Sequence, residues 1–215
     1  MNDLDRDRAG ATKAHEAVIA DLRDLRNDQV SQPSLLPGWT VGHVATHIAR
    51  NADGHTRMLE AAMRGEIDQM YPGGLDQRSA DIAAGATRSP DELLADVVES
   101  AMRLEATWAA MQPPAWAGRG VTVTGEMTAR ELLFIRWREV IVHHADLGLG
   151  YSWSDWDDEY VRRDLGRLCM LWASRKPMGL TDLPPEAMAV PTRHRVAWLL
   201  GRADVDGLGP AGIIG

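Results

Sequence analysis

Four stretches within the first 150 residues place apolar side chains three and four positions apart, a spacing that only a helix gathers into one face. The first runs from Ala9 to Asn27 and carries Ala14, Val18, Ile19, Leu22 and Leu25. The second follows Thr40, a capping residue, with Val44, Ile48, Met58, Leu59 and Ala62. The third opens on Ser89 and Pro90 with Glu92 completing a capping box, continues through Leu93, Leu94, Val97, Val98, Ala101, Leu104 and Trp108, and stops at Pro113-Pro114. The fourth opens on a second box, Thr128 with Glu131, and runs through Leu132, Leu133, Ile135, Val140 and Leu147. Amphipathic helices of this length bury their faces against one another, which predicts a mainly α fold with a four-helix bundle over residues 1–150.

Between these segments, Gly65–Arg88 contains the breaker Pro72-Gly73-Gly74 and reads as a looser stretch, while Gly118–Met127 suits a turn or a β-hairpin. Gly148 and Gly150 close the bundle. Residues 151–215 then form a small C-terminal region, α/β or helical, with a fifth helix near Asp155–Lys176, a Pro-rich crossing and a short helix at Thr192–Arg202.

The chain has 215 residues and a formal net charge of -8, and no basic run suggests a partner made of nucleic acid. No stretch approaches the roughly 18 apolar residues of a membrane span, and the charged N-terminus MNDLDRDRAGATKAHE lacks a secretory apolar segment, so a cytoplasmic protein is expected. Cys169 is the only cysteine, which excludes an intrachain disulfide and a four-cysteine zinc site. It sits among Leu168, Met170 and Leu171, where a packing role fits best.

Chemistry concentrates on two helices. His43 and His47 lie four apart on the second, Glu139 and His143 four apart on the fourth, and this spacing puts each pair on one helical face. Val44 and Ile48 flank His47, and Val140, Ile141 and Val142 surround the other pair. A carboxylate on so apolar a face needs a cation or a hydrogen bond to offset its desolvation. Two readings stand at this point. His47, Glu139 and His143 can ligate one divalent metal, leaving a tetrahedral ion one open position, or the histidines are hydrogen-bonded core residues and Glu139 pairs with Arg136 or Arg138.

Two longer motifs separate those readings. SLLPGWTVGHVATHIARNADG and WREVIVHHADLGLGY resemble the mycothiol-dependent maleylpyruvate isomerase family, whose N-terminal domain is a DinB-like four-helix bundle. The resemblance implies zinc held by His47, Glu139 and His143, with His43, His55 and His144 structural or solvent-facing and His55 at the bundle rim. It places Arg78, within MYPGGLDQRSADI, and Arg202, within VAWLLGRADVDGL, as arginines that grip the acidic substrate. It also implies the reaction. Mycothiol, held at zinc as thiolate, adds to the cis double bond of maleylpyruvate; the bond rotates, and loss of the thiolate leaves fumarylpyruvate.

One departure from the family pattern bears on substrate. The span from Lys176 to Pro191 is short and Pro-rich where relatives carry a longer α/β appendage, so part of that small sheet is expected to be missing. This keeps a second enzyme reading open, a mycothiol S-transferase that conjugates the thiol to an electrophile. A zinc-binding regulatory module is the non-enzymatic alternative, although such proteins often use cysteine ligands. As an enzyme, the chain is expected to act on a small molecule with a thiol cofactor, as a monomer or homodimer.

Overall fold

The computed structural model describes residues 2–177 and 181–213, so the middle of the Lys176–Pro191 span lies outside the described residues. Within them the chain is mainly helical and divides into two compact units, residues 1–150 and 151–215.

In the first unit, α1 (Asp3–Leu22) starts six residues before its apolar stripe does, because Asn2 caps it by accepting from the Asp5 amide at 2.9 Å and Asp3 and Asp5 sit at the positive end of the helix dipole. It also ends at Leu22, so residues 23–26 of the expected helix form a turn and a connection, and a separate single turn, α2 (Asn27–Val30), follows. Helix α3 (Val41–Met63) is capped by Thr40, with the His43 ring reaching back to the Thr40 hydroxyl at 2.8 Å where a glutamate would stand in an ordinary capping box. The two boxes read from sequence open α5 (Pro90–Ala110) and α6 (Ala129–Asp146). Between them, β1 (Arg119–Thr122) and β2 (Gly125–Thr128) form an antiparallel hairpin, Arg119 opposite Thr128.

The looser stretch proved to hold a helix. The α4 segment (Gly74–Gly85) begins on the last residue of the breaker, where Gly74 takes φ 73° and the Gln77 side chain accepts from the Gly73 amide at 2.7 Å. It buries only Ile82 and Gly85, too few anchors to register as a periodic face.

Helices α1, α3, α5 and α6 close into a bundle: α1 packs on α5 and α6, and α3 packs on the same two. Val44, Ile48, Met58 and Leu59 of α3 meet Leu93, Val97 and Leu104 of α5 and Leu133, Phe134 and Val140 of α6 in an interior closed to solvent. At about 1.5–3 kcal/mol for each fully buried aliphatic side chain, this core drives assembly, and the polar groups inside it must be placed within that frame. Helix α4 packs against α3 at a closeness that glycine permits: a Cβ on Gly42 would strike the Ala86 carbonyl, and one on Gly85 would strike Thr46. That approach fixes where Arg78 of α4 falls.

The second unit consists of α7 (Asp158–Ser174), α8 (Pro185–Ala189) and α9 (Thr192–Leu199), preceded by a 3-10 turn at Trp153–Asp155. Helix α7 packs on α9 around Trp156, Tyr160, Leu168 and Trp198, and the Trp172 and Trp198 rings lie 5.4 Å apart. No strand occurs among its described residues, so of the two expected forms the region takes the helical one. The last helix stops at Leu199, where the Arg202 amide bonds back to the Ala197 carbonyl at 2.7 Å across Gly201 at φ 72°. No helix of the described chain is long and apolar enough to cross a membrane.

Candidate metal centre

His47 of α3 and Glu139 and His143 of α6 turn toward one another, with one ligand atom from each lying within 4.8 Å of the other two. His47 Nε2 is 3.4 Å and His143 Nε2 3.7 Å from Glu139 Oε2. Donors at about 2.1 Å around a tetrahedral ion stand roughly 3.4 Å apart, so the two separations from Glu139 fit a zinc-sized site. His47 is buried, and the Glu139 and His143 side chains keep a partial opening to solvent.

The hydrogen bonds around the cluster decide its polarity. His143 Nδ1 lies 2.8 Å from Asp146 Oδ2, a carboxylate that can only accept, so the proton sits on Nδ1. With Nδ1 engaged in this way, Nε2 is the nitrogen turned toward the Glu139 carboxylate and open to a cation between them. Burial, reinforced by His143, pushes the His47 pKa down to about 4, so His47 is neutral at pH 7 and can offer a lone pair. Burial alone would raise the Glu139 pKa, but the hydrogen bond with His47 and the neighbouring His143 and His55 rings outweigh it and hold the carboxyl well below its usual range. The residues present fit a divalent cation.

Arg78 reaches this cluster. Its Nη2 is 3.3 Å from His47 Nδ1, and its guanidinium lies 5.8 Å from the Trp39 ring and 5.9 Å from the Tyr71 ring. Trp39 also packs edge-on against His47 at 5.5 Å, so it forms one wall beside the cluster. Arg202 belongs to the second unit, where its Nη1 donates to the Leu200 carbonyl at 2.6 Å.

The remaining histidines separate as the motif implied, with one exception. His43 caps α3, and His144 bonds to Asp21 Oδ2 at 2.7 Å. His55, expected at the bundle rim, is instead fully enclosed, because two further turns along α3 carry it deeper into the core and not out of it. Asn51 Nδ2 donates to Glu139 Oε2 at 3.1 Å, while the Arg136 guanidinium donates to the Ile48 carbonyl and to Asn51 Oδ1. Neither Asn51 nor Asp146 was singled out in the sequence. Their spacing could have found them, since Asn51 follows His47 by four residues and Asp146 follows His143 by three.

The sequence profile of the mycothiol maleylpyruvate isomerase N-terminal domain matches residues 11–148. The chain belongs to this family. A crystal structure of the mycothiol-dependent maleylpyruvate isomerase superposes with a TM-score of 0.84 at 26% identity, covering 94% of this chain and 90% of that one. The crystal structure of a histidine-to-alanine mutant of that enzyme agrees equally well, with a TM-score of 0.84. Little of either chain is left unmatched, so whatever the C-terminal region lacks relative to that enzyme is small. No curated protein sequence matches the chain.

Proposed function

We propose that the protein is a metal- and mycothiol-dependent cis–trans isomerase that converts maleylpyruvate to fumarylpyruvate. The observation that carries this reading is the convergence of His47, Glu139 and His143, one ligand atom from each within 4.8 Å of the others, in a member of that isomerase family. Substrate and product have the same composition, so neither an oxidant nor a group acceptor is required. A divalent cation, zinc by its match to this donor set, would supply the Lewis acidity that keeps a thiol ionised as the nucleophile an activated double bond needs.

The chain's own residues do the rest. His47 and His143 present lone pairs, Glu139 supplies the one negative charge, and Asp146 holds the His143 ring in the tautomer that leaves Nε2 free. Arg78 is assigned the task of gripping a substrate carboxylate, which its planar fork can do with two parallel hydrogen bonds. When a nucleophile adds next to a carbonyl, charge builds on oxygen, and a guanidinium held between Trp39 and Tyr71 is placed beforehand to meet it. Arg202, assigned by the family motif, is the second carboxylate-binding arginine of the proposal. A thiol cofactor of this kind resides in the cytoplasm, and the reading puts the protein there.

The test is metal analysis of the purified protein joined to a maleylpyruvate assay with and without mycothiol. Formation of fumarylpyruvate that depends on both metal and thiol supports the isomerase. Stable thiol conjugates of electrophiles, without isomerisation, would replace it with an S-transferase.

A further inference from the structure

Arg136 lies on α6 one turn before Glu139, wholly enclosed in the bundle. Burial brings its pKa down to about 10, so it remains charged at pH 7. A guanidinium has donors and no acceptor, and this one-sidedness fixes the orientation of each group it touches. Its Nε donates to His15 Nε2 at 3.0 Å, so His15 carries its proton on Nδ1 and passes the hydrogen bond on to Glu105 Oε1 at 2.7 Å. Its Nη1 donates to the Ile48 carbonyl at 2.9 Å and to Asn51 Oδ1 at 2.8 Å.

The contact with Asn51 matters most. An asparagine amide can ordinarily rotate to exchange its oxygen and nitrogen, with little to choose between the two orientations. Here the oxygen is committed to Arg136, and the nitrogen is thereby turned to Glu139 Oε2, 3.1 Å away. The reverse orientation would set the amide NH2 against a guanidinium and the amide carbonyl against a carboxylate, unfavourable at both ends.

We propose that Asn51, with its amide oriented by Arg136, is a positioning residue that holds the Glu139 carboxylate toward His47 and His143. A free glutamate side chain samples several rotamers, and ordering it costs conformational entropy. The Asn51 hydrogen bond offsets that cost before any ligand arrives, and it satisfies a carboxylate oxygen inside an apolar face. The series from Glu105 through His15, Arg136 and Asn51 to Glu139 sets orientation and does not conduct protons, because an amide is neither acid nor base and the guanidinium keeps its proton at pH 7.

The inference rests on His47, Glu139 and His143 being a metal centre, and a cobalt titration separates the two claims. Metal-free wild type, Asn51→Ala and Arg136→Lys are titrated with Co2+ and followed by visible d–d absorption, alongside thermal melts of each metal-free protein. Wild type should bind one equivalent, Asn51→Ala should bind about 10- to 100-fold more weakly with an altered band, and Arg136→Lys, which keeps the charge and a donor, should lose less. A residue that served folding alone would lower the melting temperature and leave the cobalt spectrum and affinity untouched. Should Asn51→Ala not fold, Asn51→Ser, too short to span to Glu139, is measured for the same loss. Equal affinity and an identical band in wild type and the Asn51 variant would overturn the positioning role while leaving the metal centre intact. Failure of wild type to bind cobalt would remove the metal centre, and the positioning role with it.

Discussion

Arg78 Nη2 stands 3.3 Å from His47 Nδ1, and because a guanidinium can only donate, His47 accepts there. The proton of the neutral ring is then on Nε2, directed at Glu139 Oε2 3.4 Å away. Ligation through Nε2 requires that nitrogen's lone pair, which moves the ring proton to Nδ1 and deprives Arg78 of its acceptor. The contact and the loaded site are therefore alternatives, and a guanidinium released from His47 is available to an anion. Arg78→Ala should keep its metal, bound as tightly as in wild type or a few-fold tighter, while the KM for an anionic substrate rises roughly tenfold or more. Chelator competition and steady-state kinetics check both halves, and loss of metal in this variant would show that Arg78 supports the ligands instead of competing with them.

Arg202→Ala should raise KM and lower turnover with the metal content unchanged. The Arg202 side chain donates to the Leu200 carbonyl within the second unit, so a structural role there is the alternative. A fall in melting temperature without a change in KM would favour that alternative.

Asp146 holds His143 by the hydrogen bond at 2.8 Å, and Asp146→Asn removes the charge while keeping the shape. An asparagine can present its NH2 to Nδ1, which would place the ring proton on Nε2, the nitrogen needed for the metal. Metal affinity should fall about 10- to 100-fold. Equal affinity by isothermal titration would mean that the tautomer is fixed by something else.

Acid should destabilise the metal-free protein earlier than its carboxylates would require. His55 is fully enclosed and neither ring nitrogen meets a hydrogen-bond partner among the described residues. Burial, with the Arg136 charge adding to it, pushes its pKa down from 6.5 to about 3, and burial likewise brings His15 to about 4. In both cases the unfolded chain takes up the proton first, so stability is complete above about pH 6.5 and declines as the pH falls toward 4. One proton of difference is worth about 1.4 kcal/mol per pH unit, and about 1 kcal/mol moves the melting temperature of a chain this size by roughly 2–4 °C. Melts between pH 7 and 5 should therefore drop by several degrees, and His55→Leu should flatten the slope. A melting temperature level across that range would contradict the neutral, enclosed state of these rings.

Helix starts and the shared faces of side chains one turn apart were legible in the sequence because both are local. Ser89 with Glu92 and Thr128 with Glu131 announce their helices within four residues, and the pairing of Glu139 with His143 needs only one turn. Helix α4 was not legible, since it follows a glycine breaker and offers only Ile82 and Gly85 as buried anchors, and with it went the placement of Arg78. His55 was misplaced because a helical position fixes a face but not a depth, and depth depends on how long the neighbouring helices are. The Glu105–His15–Arg136–Asn51 series joins residues 85 and 121 positions apart at two of its links, and no spacing within one helix reports such a contact.

The most direct measurement is zinc content per chain, taken after dialysis, in wild type and in His47→Ala. One zinc per wild-type chain and essentially none in the variant is the expected result. Full zinc occupancy in His47→Ala, or none in wild type after exposure to excess zinc, would contradict the site formed by His47, Glu139 and His143.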